Sequence, residues 1–190
     1  MPLSTDFFAQ PTLSVARQLL GARLVRSLEG ERLSGIITET EAYIGETDLA
    51  CHARAGKTAR TLTMYGPPGR AYIYFTYGMH WLLNAVTEPE GSPAAVLIRA
   101  IRVDEGLDRV ETRRPRVVRA EWTNGPAKLT QAFGIGSAQN GIDLTSTASD
   151  LHIETGVVIS DANVTIGPRV GLYSVPEPWK SMPWRFLANL

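Results

Sequence analysis

Two glutamates and a tyrosine alternate in the run Thr38-Glu39-Thr40-Glu41-Ala42-Tyr43. If this run is a strand, Glu39, Glu41 and Tyr43 point to one face, with successive side chains on that face about 7 Å apart. Two carboxylates at such a separation are the groups that glycoside hydrolysis requires. The simpler alternative is a solvated strand edge without catalytic function.

Three tyrosines follow in the run Ala71-Tyr72-Ile73-Tyr74-Phe75-Thr76-Tyr77-Gly78-Met79. Its β-branched and aromatic residues predict a strand, which places Tyr72 and Tyr74 on one face and Tyr77 at a turn beside Gly78. Tyrosine rings stack on nucleobases and wedge between them, so the run indicates a nucleic-acid surface. The alternative is a tyrosine-rich strand that packs against the core.

The segment around these tyrosines is basic, although the chain has 19 basic and 19 acidic residues and no net charge. Arg54, Lys57, Arg60 and Arg70 stand between residues 49 and 87 without an acidic residue, and 113–119 adds four arginines. Arginine forks hold phosphate bidentately, so this pattern predicts a phosphate-contacting face. The zero net charge argues mildly against a polyanionic partner, and an ordinary solvated surface is the alternative.

Polar residues also interrupt apolar runs. Arg99 lies inside the apolar run 94–101, where a charge is costly unless it is paired, so we expect it to face a carboxylate or a cleft. Asn84 interrupts the run 81–86 in the same way, and its alternative is a buried amide satisfied by backbone. His52 follows Cys51 in the basic loop, but one such pair does not predict a metal site.

The elements that must position these residues are short strands in hairpin order. Apolar and β-branched runs predict strands at 23–28, 33–44, 71–76, 80–87, 94–102, 151–155, 157–160 and 169–173. Apolar spacing and caps predict helices at 12–20, at 104–113 and from 126 onward, with a long loop at 46–68 and an apolar, proline-punctuated stretch at 179–190. Many strands and few helices predict a single α+β domain on a mostly antiparallel sheet.

Composition and missing motifs exclude several classes of protein. A chain of 190 residues, 44% of them hydrophobic, is typical of one globular domain, and a single cysteine excludes an internal disulfide. No apolar run reaches the roughly 18 residues of a membrane span, and the start lacks a secretory signal, so we expect a cytoplasmic protein without membrane contact. Neither a Gly-x-Gly-x-x-Gly motif nor a P-loop is present, which argues against hydride and phosphoryl chemistry.

Taken together, these motifs resemble the alkyladenine (methylpurine) DNA glycosylases of base-excision repair. The resemblance covers almost the whole chain and is carried by short matching runs at Gln10-Pro11, Leu19-Leu20-Gly21, Glu39-Thr40-Glu41-Ala42-Tyr43, His52, Tyr72-Ile73-Tyr74, Tyr77-Gly78-Met79, Asn84, Leu97-Ile98-Arg99-Ala100, Gly125-Pro126-Ala127-Lys128-Leu129 and Arg169-Val170-Gly171. It implies a curved sheet flanked by helices, with a protruding β-hairpin that enters DNA.

The resemblance also implies a site for an attacking water. Glu41 matches the general base that activates this water, and Arg99 matches an arginine that helps to hold it. A backbone carbonyl near Val170 completes the water site. Glu39 receives no catalytic role, so the two-carboxylate hypothesis is reduced to one working acid.

The same resemblance implies a pocket for a base that has been rotated out of the duplex. Tyr43, His52 and Tyr74 match the residues that sandwich and contact this base. Asn84 matches the residue that disfavours normal guanine by crowding its exocyclic amine. Tyr77 matches the wedge that fills the vacated stack from the minor groove.

The implied partner is double-stranded DNA that contains alkylated or deaminated purines, with Tyr72, Met64 and Arg54 as further DNA-binding residues. The implied protein is a monomer that hydrolyses the N-glycosidic bond without a metal or organic cofactor. Two alternatives stay open: a non-catalytic nucleic-acid-binding module that uses the same tyrosine-rich basic face, and a glycosidase that acts on a free nucleoside or sugar.

Overall fold

Eight strands pair into one sheet in the computed structural model, which describes residues 1–189. The strands are β1 (Arg23–Leu28), β2 (Glu31–Ile44), β3 (Ala71–Thr76), β4 (His80–Val86), β5 (Ala94–Glu105), β6 (Leu151–Glu154), β7 (Val164–Gly167) and β8 (Arg185–Ala188). Their order is β3-β4-β5-β2-β1-β6, and β8 pairs with both β2 and β7. Each strand pairing in this part of the chain is antiparallel, which confirms the predicted α+β class.

Strand β2 is the long central strand of the sheet. Strand β5 follows one edge of it from Ser34 to Ile44, so β1 and β8 share the opposite edge. The register with β5 shifts on both sides of Glu39, which marks an irregularity of the β-bulge type. Residues Glu39 to Glu41 therefore have a paired strand on each side. This pairing fixes the backbone that carries the two carboxylates.

Short helices cover the sheet and close the core. They are α1 (Thr5–Phe8), α2 (Thr12–Gln18), α3 (Leu107–Arg113) and α4 (Pro126–Phe133), with 3-10 turns at His52–Ala55, Leu62–Tyr65, Arg119–Glu121, Ser137–Gln139 and Asp161–Asn163. Leu19, Ile37, Ile98 and Phe133 are among the core residues with no exposed surface. Fully burying such a side chain stabilises the fold by about 1.5–3 kcal/mol. Within residues 1–189 no helix is both long and apolar enough to cross a bilayer.

Two predicted strands are absent. Residues 157–160 are irregular and pair with no strand, and Val158 is 98% exposed while Ile159 packs into the core. Residues 169–173 form turns instead of a strand because Arg169 and Val170 are drawn to buried carboxylates, as described below. The predicted helix at 104–113 begins only at Leu107, since Asp104 and Glu105 continue β5.

Two observed strands, β7 and β8, were not predicted. Strand β8 lies in the proline-punctuated stretch and pairs with Glu39, Thr40 and Glu41 of β2. Strand β7 in turn pairs with β8. Leu190, the last residue of that stretch, lies outside the described residues.

Candidate active site

The alternation of β2 separates core residues from site residues. Thr40 is fully buried, and its hydroxyl donates to the carbonyl of Ala16 on α2 at 2.7 Å. Glu39, Glu41 and Tyr43 point to the other face, where Arg99 meets both carboxylates and Tyr43 bonds Glu41. The predicted common face of these three residues is therefore confirmed.

Three groups surround the carboxylate of Glu41, which has no exposed surface. The backbone N–H of Val170 donates to Oε1 at 2.7 Å, and the hydroxyl of Tyr43 donates to Oε2 at 2.8 Å. Nη1 of Arg99 lies 3.4 Å from Oε1. The contact from Val170 is thus made by its amide, while the water contact expected of its carbonyl stays a prediction.

Burial and charge act in opposite directions on Glu41. Burial raises the pKa of this carboxyl above its ordinary value, and Glu39 adds to the rise, while Arg99, the Val170 amide and the Tyr43 hydroxyl lower the pKa. Burial and the neighbouring Glu41 hold the pKa of Tyr43 well above its usual range, so its hydroxyl keeps its proton and donates. Glu41 is therefore a more basic carboxylate than a solvated one, and its neighbours stabilise its ionised form.

Arg99 meets two carboxylates, in agreement with the expectation that it faces an acid or a cleft. Its Nε donates to Oε1 of Glu39 at 2.9 Å, and its Nη1 approaches Glu41. Nε of Arg185 on β8 donates to the same Glu39 oxygen at 2.5 Å. Arginine and glutamate side chains thus alternate on this face of the sheet, in the order Arg185, Glu39, Arg99 and Glu41.

A cavity of about 360 Å³ opens beside the carboxylate. Such a volume lies in the range of about 300–1,000 Å³ that is typical of small-molecule sites. Most of its walls come from strands β2, β3, β4 and β5, the loop at 50–52, the start of α4 and the turn at 170–172. The lining residues are Tyr43, Ala50, Cys51, His52, Met64, Tyr72, Tyr74, Thr76, Tyr77, His80, Leu82, Asn84, Ala95, Leu97, Arg99, Pro126, Ala127, Val170, Gly171 and Leu172. Since Tyr43, Arg99 and Val170 contact Glu41, its carboxylate lies directly beneath the cavity wall.

Aromatic rings form one wall of this cavity. The rings of Tyr72 and Tyr74 lie 5.5 Å apart between centroids, and the ring of His52 meets that of Tyr74 edge-on at 4.4 Å. Nδ1 of His52 is 3.0 Å from the hydroxyl of Tyr72. Burial, with Arg60 and Arg54, lowers the pKa of His52 to about 4, so its imidazole is neutral at pH 7. The wall is therefore uncharged and can stack a flat ring.

Asn84, Met64 and Tyr72 are buried around this pocket. Nδ2 of Asn84 donates to the backbone carbonyl of Tyr72 at 3.0 Å, which fixes the orientation of the amide. Met64 and Tyr72 are each only 2% exposed and line the cavity. Their predicted role as DNA-binding residues stays a prediction, and in this structure both side chains lie in the pocket wall.

Cys51 is also buried, and burial raises the pKa of its thiol to about 12. In residues 1–189 no group of three or more His, Cys, Asp or Glu side chains could hold a metal ion.

Tyr77 is the most exposed aromatic residue at the cavity mouth. It lies at the tip of the β3–β4 hairpin and is 84% exposed, and Met79 beside it is 68% exposed. Tyr77, Gly78 and Met79 connect Thr76 to its partner His80, and the first two have left-handed backbone, with φ of 52° and 68°. The alternative of a core position for Tyr77 is therefore wrong.

Two basic side chains of the 3-10 region lie near this mouth. Arg54 is exposed and donates to the carbonyl of Leu49 at 2.9 Å. The guanidinium of Arg60 lies 5.2 Å from the ring centre of Tyr74.

A buried ion pair that the sequence reasoning missed supports the site from behind. Nη1 and Nη2 of Arg169 bond the two oxygens of Asp48 at 2.5 and 3.0 Å, and neither side chain is exposed. The guanidinium also lies 4.7 Å from the ring centre of Tyr43 and 4.9 Å from that of Trp184. The matching run Arg169-Val170-Gly171 was the only sequence signal, and it assigned no role to the arginine.

Asp48 also binds backbone at the end of β2 and at the start of the pocket loop. Its carboxylate accepts from the N–H of Ile44 at 3.2 Å and from that of Ala50 at 2.9 Å. The pair thus connects β2, the loop that carries His52, and the turn that presents the Val170 amide to Glu41.

Comparison with known proteins identifies the family of this chain. A family model for methylpurine-DNA glycosylase (MPG) matches residues 6–189. A protein of Methanocella arvoryzae is 46% identical over 185 residues, which are 97% of this chain and 90% of that protein. A protein of Carboxydothermus hydrogenoformans is 44% identical over 186 residues, 98% of this chain and 94% of its own. Both carry the name "Putative 3-methyladenine DNA glycosylase". This chain belongs to the methylpurine-DNA glycosylase family, a family of enzymes that hydrolyse N-glycosyl bonds.

Proposed function

We propose that this protein is a monofunctional DNA glycosylase that extrudes alkylated or deaminated purines from duplex DNA and hydrolyses their N-glycosidic bond with an activated water. The observation that carries the proposal is Glu41, a buried carboxylate contacted by Tyr43, Arg99 and Val170 beneath an aromatic cavity. The family of the chain and the names of its relatives support the same activity.

Glu41 acts as the general base. An ionised carboxylate has about four acceptor positions, of which the Tyr43 hydroxyl and the Val170 amide occupy two, while Nη1 of Arg99 lies 3.4 Å from Oε1; an acceptor position therefore remains for a water. Cleavage of the N-glycosidic bond builds positive charge on the sugar. Ionised Glu41 stabilises that charge and takes a proton from the attacking water, and the Val170 carbonyl and Arg99 help to hold this water.

The aromatic cavity receives the extruded base. A base within a duplex cannot reach a buried carboxylate, so it must leave the stack at a cost of a few kcal/mol. Tyr43, His52 and Tyr74 contact its ring, and a cationic alkylated purine gains from their π faces because His52 is neutral. Asn84, held by the Tyr72 carbonyl, crowds the exocyclic amine of normal guanine.

The β3–β4 hairpin contacts the duplex. Tyr77 at its tip fills the space that the extruded base leaves, and the exposure of this side chain beside the cavity supports that role. Arg54 contacts phosphate near the pocket mouth. None of the cavity-lining residues is a lysine, the residue that Schiff-base lyase chemistry uses, so the reaction ends at base release.

The test is base release from duplex DNA that carries methylated purines, followed by chromatography of the freed base. Time-dependent release of methylated purine supports the proposal. Binding without release would indicate a non-catalytic nucleic-acid-binding module. Release from free nucleosides but not from duplex DNA would indicate a nucleoside glycosidase.

A further inference from the structure

Glu39 is a second carboxylate of the site, and the proposed reaction gives it no step. It is 7% exposed, and its Oε1 accepts from Nε of Arg99 and from Nε of Arg185, which come from the strands on either side of β2. A buried carboxylate with two arginine partners is held firmly in one position.

This arrangement divides the guanidinium of Arg99 between two acids. Its Nε serves Glu39 at 2.9 Å, and only Nη1 approaches Glu41, at the longer distance of 3.4 Å. A planar guanidinium without the first partner pairs bidentately with a single carboxylate. Such a pair at Glu41 would lower its basicity and occupy the acceptor position that a water needs.

We infer that Glu39 is a positioning residue: it holds Arg99 beside Glu41 and prevents Arg99 from forming a bidentate pair with the general base. Arg185 keeps Glu39 in place for this task. The inference rests on the proposed function, because it concerns the base of that same reaction.

The pH dependence of the reaction reports on this arrangement. The charged and titratable groups that face Glu41 or its direct partners are Glu39 and Tyr43 from β2, Tyr74 from β3, Arg99 from β5, Arg185 from β8 and Arg169 from the turn after β7. Removing the charge of Glu39 leaves Arg99 as a full partner of Glu41. Glu41 then ionises at lower pH and is a weaker base.

The experiment compares single-turnover base release by wild type, Glu39→Gln and the matched control Glu105→Gln from about pH 4 to pH 8. Glu105 pairs with Arg32 at the far end of β5, so its variant is expected to follow the wild-type profile. For Glu39→Gln we expect the acid limb to move to lower pH. The plateau rate falls about 10- to 100-fold, part of the about 10²–10⁴-fold contribution of a general base. In an Arg99→Gln background the same substitution should leave the plateau unchanged, because Glu39 acts through Arg99.

A lower melting temperature with an unmoved acid limb would overturn the inference, because a structural role alone predicts that result. Glu39→Asp, which shortens the side chain but keeps its charge, covers the case in which Glu39→Gln does not fold. It should show the same changes at smaller size, and a wild-type profile in that folded variant would also overturn the inference. If wild type and Glu105→Gln release no base, the proposed function fails and the inference with it.

Discussion

His52 shows at the scale of one residue how packing sets the charge of the pocket. Burial, then Arg60 and Arg54, lowers the pKa of its imidazole to about 4, and the Tyr72 hydroxyl lies 3.0 Å from Nδ1. A protonated histidine here would repel a cationic purine, and a neutral one does not. The two arginines therefore help to keep the imidazole of His52 neutral.

We expect His52 to titrate near pH 4 in an NMR experiment on its ring protons. An ordinary histidine titrates near about 6.5, so a midpoint there would contradict the role of burial. In the unfolded chain this histidine binds a proton below about pH 6.5, whereas in the folded protein it binds one only below about pH 4. Between these two pH values the unfolded state binds more protons, so the free energy of unfolding falls as the pH drops from about 6.5 to about 4. In Arg60→Gln the midpoint should rise, since one source of repulsion is removed.

At the scale of elements, the Asp48–Arg169 pair connects segments that carry the site. It joins β2, the pocket loop and the turn that presents the Val170 amide, and both of its side chains are unexposed. Removing one partner of such a pair leaves an uncompensated buried charge.

Asp48→Asn should lower the free energy of unfolding by about 3–5 kcal/mol in urea denaturation. The control is Asp161→Asn, which breaks the surface ion pair with Arg17. The side chain of Asp161 is 96% exposed, so this variant should lower the free energy of unfolding by at most about 1 kcal/mol. Equal losses in the two variants would contradict a structural role for the buried pair.

The β3–β4 hairpin supplies a prediction about base extrusion. Tyr77→Ala should slow release from a Watson–Crick-paired lesion about 5- to 150-fold, since stacking on an aromatic ring contributes about 1–3 kcal/mol. The loss should shrink for an unpaired lesion, which leaves the stack at less cost. The measurement is single-turnover release from paired and bulged lesions. Equal losses on both substrates would rule out the wedge.

Local elements were predictable where the pattern and the turn lie close together in the chain. The strands at 23–28 and 71–76 agree with β1 and β3 at both ends, because hairpin pairing reinforces β-branched and aromatic runs. Strand β8 was missed because its partner is β2, far away in the chain, and nothing in its proline-punctuated surroundings indicates that pairing. Residues 157–160 have strand-like composition but no strand partner.

In the candidate site, too, local features were predictable from the sequence and long-range contacts were not. The common face of Glu39, Glu41 and Tyr43 follows from alternation within one strand, so it was predictable. The partners of Arg99 and the pairing of Asp48 with Arg169 depend on long-range packing, which a single sequence does not encode in its spacing. The resemblance to a family pointed to Val170 as a site residue through its carbonyl. The contact that Val170 makes with Glu41 in the structure is made by its amide.

At the scale of the whole molecule, the neutral chain separates into paired and unpaired basic residues. Arg109 pairs with Glu29 and Glu31, and Arg70 lies 3.8 Å from Asp143, so the latter arginine belongs less to the predicted phosphate face than its sequence position suggested. Within residues 1–189, Arg54, Lys57 and Arg60 form no salt bridge, and neither do Arg113, Arg114, Arg116 and Arg119. These side chains keep their charge available for phosphate.

Affinity for duplex DNA should therefore fall steeply with salt despite the zero net charge. Replacing Arg54 or Lys57 with Gln should reduce the slope of log K against log salt by about one for each phosphate that the variant no longer neutralises. Arg109→Gln, which removes a charge already paired with Glu29 and Glu31, should leave the slope unchanged. A slope near zero for wild type, measured by fluorescence anisotropy, would mean that these residues do not touch phosphate.

The most direct test of the central claim is single-turnover base release by Glu41→Gln, with duplex binding measured on the same preparation. The substitution keeps the size of the side chain and one acceptor oxygen, but it removes the charge and with it the base that takes the proton from water. We expect release to slow by at least about 10²–10⁴-fold while affinity for lesion-containing duplex stays near that of wild type. Near wild-type release by this variant would contradict the assignment of Glu41 as the general base.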